Sequence, residues 1–222
     1  MDRKKAAAEA ALELVEDGMV VGLGTGSTAN YAIEGLGRRV ASGLRIRGVA
    51  TSRASEELAR KVGVPIITLD QVSGIDLTID GADEVDPRFN LIKGMGGALL
   101  REKIVAFASK QEVIIIDDSK LVEVLGTKTP LPVEVVPFGH LLTKDALESL
   151  GCKASLKGGS SPFVTDNANL IYECRFAKIE DPEILEAEID LIPGVVESGL
   201  FIDLATKVVV ASTKGVEIRS KK

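Results

Sequence analysis

The residues best suited to chemistry lie between Thr78 and Ala106, in the stretch TIDGADEVDPRFNLIKGMGGALLREKIVA. Here Asp80, Asp83 and Glu102 accompany one amine, Lys93, and a glycine cluster (Gly94, Gly96, Gly97) follows that lysine directly. Three carboxylates and an ammonium suit proton transfer: a carboxylate takes the proton, and the cation steadies the oxygen that becomes negative. The DGADEVD segment alone would read as a solvated turn, since Asp and Gly are ordinary turn residues. Its order in the chain argues otherwise, because an acid-rich strand end is followed by a lysine, glycines and an amphipathic helix. A second glycine loop lies upstream, Gly22-Leu23-Gly24-Thr25-Gly26-Ser27-Thr28.

Several elements must position these groups. The apolar run Ile75 to Ile79 reads as a strand stopping at Asp80, and Ala98 to Ser109 as a helix carrying Glu102. Met19 to Leu23 reads as a buried strand that enters the upstream loop, with a helix from about Ala29. Strand, glycine-hydroxyl turn and helix together make an anion site, because backbone N–H groups at the helix start face the ligand. Ser27 and Thr28 add hydroxyl donors. A dinucleotide fingerprint would need glycine where Ser27 stands. It would also need an acid after the strand Arg45 to Ala50, where Thr51-Ser52-Arg53 follows instead. An NADP variant using Arg53 has weak support, and no Gly-Lys-Ser/Thr completes a Walker loop. A small phosphorylated ligand fits better than a nucleotide.

The surrounding pattern agrees with a parallel sheet. Asp2 can cap a first helix through Val15, with Gly18 ending it, and Ser52 or Ser55 begins another over Ala54 to Lys61. Pro65 to Leu69 and Glu112 to Asp117 read as strands, the latter ending in Asp117-Asp118-Ser119-Lys120. Alternating strands and helices predict an α/β fold: a doubly wound, mainly parallel Rossmann-like sheet with ligands at the carboxyl ends of its strands. At Gly126 the texture changes. After TKTPLP come a strand (Val133 to Val136), a helix (Phe138 to Leu150), strands (Cys152 to Lys157, Asn169 to Phe176), a helix capped by Asp181 with Pro182 in its first turn, and a strand (Gly194 to Phe201). That order predicts a second, smaller ferredoxin-like α+β domain over residues 127–201. The strand-like tail, Lys207 to Ala211 and Val216 to Arg219, is expected to rejoin the first sheet, so the first domain is 1–126 plus 202–222.

Composition narrows the function. A net charge of −6 gives no electrostatic support to nucleic-acid binding. The 45% hydrophobic and 27% charged residues are the balance of a soluble globular protein. Cys152 and Cys174, far apart and without CxxC spacing, argue against zinc and a disulfide framework and read as core residues. No apolar run is long enough for a membrane span, and the N-terminus lacks a signal-peptide block, so a cytoplasmic location is expected. His140, the single histidine, reads as structural. Glu, Asp and Lys must then do the acid–base work, in moving a proton next to a carbonyl. Glu102 is the best base, with partial burial expected to raise its pKa, and Lys93 the best stabiliser of an enediolate oxygen. Asp80 and Asp83 could bind sugar hydroxyls, hold Lys93 or relay a proton between oxygens. These acids could also hold Mg²⁺, although the lysine competes for that space; no metal site or cofactor is expected.

Over nearly its whole length the chain resembles the A-type ribose-5-phosphate isomerases. The shared pieces are GLGTGST (Gly22 to Thr28), DGADE (Asp80 to Glu84), KGMGGALLREK (Lys93 to Lys103), DDSK (Asp117 to Lys120), LPVEVVPF (Leu131 to Phe138), TDNAN (Thr165 to Asn169) and IPGVVESGLF (Ile192 to Phe201). The resemblance implies cofactor-free interconversion of D-ribose 5-phosphate and D-ribulose 5-phosphate in the non-oxidative pentose phosphate pathway, by homodimers or homotetramers. It places the base at Glu102 and the sugar-binding turn at Asp80, Gly81, Ala82 and Asp83. The lysine-glycine loop falls on Lys93, Gly94, Met95 and Gly96, and the hydroxyl-rich turn on Thr25, Gly26, Ser27 and Thr28. Lys120 would be a further ligand contact, and Lys4 stands where an N-terminal lysine often lies near the phosphate. Met95 departs from a loop that is often all glycine, so its side chain must point away from the sugar or narrow the pocket. Competing readings are a non-catalytic sugar-phosphate sensor, for which no DNA-binding helix pair is present, and a related deaminase or lactonase, which would need a better-placed histidine than His140. A coenzyme A transferase would use a glutamate nucleophile.

Overall fold

The computed structural model describes residues 2–221. In chain order its first elements are α1 (Arg3–Leu12), β1 (Val20–Leu23), α2 (Ser27–Ala41), β2 (Arg47–Ala50), α3 (Arg53–Lys61), β3 (Leu77–Asp80), β4 (Glu84–Val85), β5 (Leu91–Ile92), α4 (Leu99–Phe107) and β6 (Glu112–Asp117). There follow β7 (Leu131–Val135), α5 (His140–Ser149), β8 (Lys153–Leu156), β9 (Leu170–Arg175), α6 (Pro182–Asp190), β10 (Val195–Ser198), β11 (Leu200–Phe201), β12 (Lys207–Ser212) and β13 (Gly215–Ser220). Two compact units result, one of residues 1–82, 101–120 and 203–222, the other of residues 83–100 and 121–202.

The first unit is built on a sheet in the order β13-β12-β6-β3-β1-β2, parallel except for β13, so both tail strands do join it. Val21 and Leu23 of β1 share a core with Ala7, Ala8 and Ala11 of α1 and with Ile33 and Leu36 of α2. Val20, by contrast, packs with Val49, Ile75 and Val105. Helices therefore cover both faces, which is why β6 (EVIIID) is buried at every position rather than at alternate ones. Asp2 caps α1 as expected, accepting from the N–H groups of Lys4 and Lys5 at 3.0 and 3.4 Å. The helix ends at Leu12, well short of Gly18. There the Arg39 guanidinium donates to the carbonyls of Leu12 and Val15, satisfying groups that a longer helix would have used itself. Pro65 to Leu69 is not a strand. It makes one parallel bridge, Gly48 to Ile66, and passes into a 3-10 turn at Leu69–Gln71.

In the second unit β7-α5-β8-β9-α6-β10 gives a four-stranded antiparallel sheet in the order β10-β7-β9-β8, the ferredoxin-like arrangement that the pattern predicts. One face, Leu131, Val133, Val135, Tyr172 and Cys174, packs with Leu147 of α5 and Ile189 of α6. A three-stranded sheet, β11-β5-β4, has no signature in the sequence. The expected single strand from Gly194 to Phe201 breaks at Gly199 into β10 and β11. The Gly199 N–H donates to Pro132 O at 2.7 Å and its carbonyl accepts from the Lys93 N–H at 2.9 Å, joining the two sheets. Glu84, fully buried, accepts from the N–H groups of Gly126, Lys128 and Thr129 at 2.7, 2.7 and 2.6 Å. That makes it the anchor of the TKTP connection. Among the described residues no helix is long and apolar enough to cross a membrane.

Candidate active site

In the first unit the strand order reverses between β1 and β3, since β2 flanks β1 on one side and β6 flanks β3 on the other. The carboxyl ends of strands at such a reversal leave a crevice for ligands. β1 ends in the Gly24–Thr28 turn and β3 ends in Asp80. The Asp80 carboxylate, 1% exposed, accepts from the Thr25 N–H at 3.0 Å and the Gly81 N–H at 2.7 Å, tying the two strand ends together. Such an approach requires glycine at 24, where a Cβ would fall 2.6 Å from the Asp80 Cα and closer still to its carboxylate.

The Thr25 hydroxyl is 2.7, 2.8 and 3.1 Å from those of Thr51, Ser52 and Ser55. Ser55 donates to Gly24 O at 2.7 Å, and Thr51 to Leu23 O at 3.0 Å. These three hydroxyls, whose sequence context shows only the end of a strand and the start of a helix, brace the upstream loop. Gly26 precedes α2 with φ 107° and no side chain caps this helix start. Ser27 and Thr28 lie in its first turn, and the Lys4 ammonium donates to Ser27 Oγ at 2.9 Å. An uncapped helix start with a lysine beside it suits an anion. Lys120 sits in the 3-10 turn after β6, beside Asp117. Burial pushes the Asp117 carboxyl up, but hydrogen bonds from Ser119 and the charges of Arg3 and Lys120 outweigh it and hold the carboxyl below its usual range. Glu102 belongs to the first turn of α4 and is 4% exposed.

Asp83, Lys93, Gly94, Met95 and Gly96 belong to the second unit, whereas Asp80, Gly81, Ala82 and Glu102 belong to the first. Asp83 Oδ2 accepts from the Met95 N–H at 3.0 Å, so this acid shapes the glycine loop. Lys93 is 2% exposed, with its ammonium 5.3 Å from the centre of the Phe201 ring. His140 faces Tyr172, Nδ1 to hydroxyl at 2.7 Å, inside the second unit. Among the described residues no group of three His, Cys, Asp or Glu side chains is arranged to hold a metal ion.

Together the strand-end carboxylate and the braced glycine turn at the switch point mark the first unit as a doubly wound α/β domain of the kind that enzymes use. Comparison with known proteins makes the class specific. The chain belongs to the ribose 5-phosphate isomerase A (phosphoriboisomerase A) family, whose model matches residues 47–215. It is 54% identical to ribose-5-phosphate isomerase A of Gloeobacter violaceus, across 97% of this chain and 94% of that one. With the Thermomicrobium roseum protein of the same name it shares 51%, across 97% and 92%. Among solved structures, a D-ribose-5-phosphate isomerase in complex with phospho-erythronic acid superposes with TM-score 0.95 and 43% identity, covering 99% of this chain and 98% of that one. The Methanocaldococcus jannaschii ribose 5-phosphate isomerase A gives 0.94 and 42%, covering 99% of both. The sensor, deaminase, lactonase and transferase readings lose their ground.

Proposed function

We propose that this ribose-5-phosphate isomerase moves one proton between adjoining carbons of the open-chain sugar phosphate, with Glu102 as the base. The sugar ring opens with help from Asp80 or Asp83. Glu102 takes the proton from C2, and the C2–H electrons form the C1–C2 double bond of a cis-enediolate as the charge moves to O1. Lys93 steadies that charge, and hydrogen bonds to the aspartates hold the two hydroxyl oxygens while the O2 proton passes to O1. Glu102 then returns its proton to C1, giving ribulose 5-phosphate. No oxidant or cofactor is needed, because the two carbons exchange oxidation levels internally.

The observation that carries this reading is the buried Glu102 carboxylate, 4% exposed, placed in the helix turn that directly follows the lysine-glycine loop. The Gly81–Ala82 turn and the Gly94–Gly96 loop contribute backbone groups to the sugar oxygens. Thr25, Gly26, Ser27 and Thr28 receive the phosphate with Lys4 and Lys120. The phospho-erythronic acid bound by a relative supports a small phosphorylated ligand of this size.

The wider setting is part of the same proposal: a cytoplasmic enzyme of the non-oxidative pentose phosphate pathway, working as a homodimer or homotetramer. Phe138, Leu141 and Leu142, all well exposed within one stretch of the second unit, support self-association. The test is to convert ribose 5-phosphate in D₂O with EDTA present. Turnover should persist, with C1 of the product carrying either the hydrogen taken from C2 or deuterium gained by exchange while the proton sits on Glu102; turnover abolished by EDTA would oppose this metal-free mechanism.

A further inference from the structure

The loop from Lys93 to Gly97 is held by a side chain that the proton-transfer scheme does not use. Lys157 stands just beyond β8, its backbone N–H bonded to Ile171 O at 2.9 Å and its carbonyl accepting from the Phe163 N–H at 2.9 Å. Its ammonium donates to the Met95 carbonyl at 3.0 Å and to Glu173 Oε1 at 2.9 Å. It also lies 5.9 Å from the centre of the Phe163 ring. That ring packs on Gly97, where an added Cβ would run into its Cε1 and Cζ atoms. All of these residues belong to the second unit.

The consequence follows from the planarity of the peptide bond. In a trans peptide the carbonyl and the next N–H point in opposite directions. Peptide 95–96 carries the Met95 carbonyl at one end and the Gly96 N–H at the other. When Lys157 holds that carbonyl, the Gly96 N–H is aimed to the other side of the loop. The neighbouring peptide is held as well, by the Met95 N–H bond to Asp83. Glycine at 96 and 97 leaves this segment free to rotate if the lysine is removed.

We infer that Lys157, set by Glu173, is a positioning residue for the isomerase: it fixes the orientation of peptide 95–96 so that the Gly96 N–H is presented to a substrate oxygen. This rests on the assignment of the glycine loop to the sugar oxygens. A donor misaimed by about an ångström costs on the order of 100-fold in turnover when its partner oxygen gains charge in the transition state.

The test compares Lys157→Met, Lys157→Arg, Glu173→Gln and the Lys157→Met/Glu173→Gln pair in ribose 5-phosphate isomerisation, with thermal unfolding of each. Lys157→Met should lower kcat about 10- to 100-fold while KM shifts by less than about threefold. Lys157→Arg, which can still donate to the carbonyl, should restore kcat to within about fivefold of the wild type. Glu173→Gln should give a smaller loss, and the double variant should be no worse than Lys157→Met, since both changes release one clamp. A Lys157→Met enzyme with kcat within about twofold of the wild type overturns the inference. So does an Arg variant as impaired as Met, or a double variant whose losses multiply. If Lys157→Met does not fold, Glu173→Gln and Lys157→Arg decide by the same criteria. Glu102→Gln assayed beside them separates the two ideas: activity retained there removes the base assignment, while the Lys157 series still reports on the loop.

Discussion

Replacing Gly24 by alanine tests whether the strand-end junction positions Asp80. The added Cβ would lie 2.6 Å from the Asp80 Cα, and the carboxylate that accepts from Thr25 and Gly81 is nearer still. Ordinary carbon–carbon contact needs about 3.5 Å, so the end of β3 must retreat by close to 1 Å. Overpacking of this kind costs about 1–3 kcal/mol, which for a chain of this size lowers Tm by roughly 2–12 °C. The catalytic cost should be larger, because a displacement of that size in a positioning group costs about 100-fold in kcat/KM. Coupled-assay kinetics at saturating and subsaturating ribose 5-phosphate, with thermal unfolding alongside, measure both. A folded Gly24→Ala enzyme with kcat/KM within about threefold of the wild type would refute the reasoning.

Other expectations concern stability and thiol chemistry. Glu84→Ala leaves the buried donors of Gly126, Lys128 and Thr129 without their acceptor, and should cost about 3 kcal/mol or more in chemical denaturation. The Lys110 ammonium and the Val20 N–H hold the Asp76 carboxyl below its usual range. A lowered folded-state pKa means that the stabilisation is complete above about pH 4 and is lost as pH falls through the folded value. Asp76→Asn should therefore cost about 1 kcal/mol at pH 7, a difference that shrinks towards zero under strongly acidic conditions; a constant gap between the two proteins across that range would contradict it. A hydrogen bond to Cys152, together with burial, pushes the Cys174 thiol up, and the same bond lowers Cys152. Iodoacetamide at mildly alkaline pH should alkylate Cys152 in the native protein and reach Cys174 only after unfolding, as peptide mass mapping will report.

Much of the first sheet was legible because its signals are local. Buried strands that end in Asp80, in the Gly24–Thr28 turn and in Asp117 carry their chemistry at the point where the apolar run stops. The ferredoxin-like order was legible for the same reason, in its alternation of elements. Three features were not. Strands of two residues, Glu84–Val85, Leu91–Ile92 and Leu200–Phe201, are too short to show a period, so the small sheet and the packing of residues 83–100 with 121–202 had no signature. Glu84 looked like one more acid in a turn, yet it holds a connection more than 40 residues away. Where the first helix stops at Leu12, Arg39, far along the chain, donates to the Leu12 and Val15 carbonyls. Long-range hydrogen bonds of this kind leave no trace in neighbouring residues. Lys157 was equally hidden, since a lysine before Gly-Gly-Ser-Ser reads as a solvated turn.

The central claim is that a single carboxylate shuttles the substrate proton. Glu102→Gln keeps the shape of the side chain and removes its ability to accept a proton. Steady-state turnover of ribose 5-phosphate by that variant, with C2 hydrogen exchange followed by NMR in D₂O, tests the claim most directly. Turnover and exchange should fall together by several powers of ten, on the order of 1,000-fold or more, while KM stays within about fivefold. A folded Glu102→Gln enzyme that exchanges C2 hydrogen at close to the wild-type rate would contradict the account.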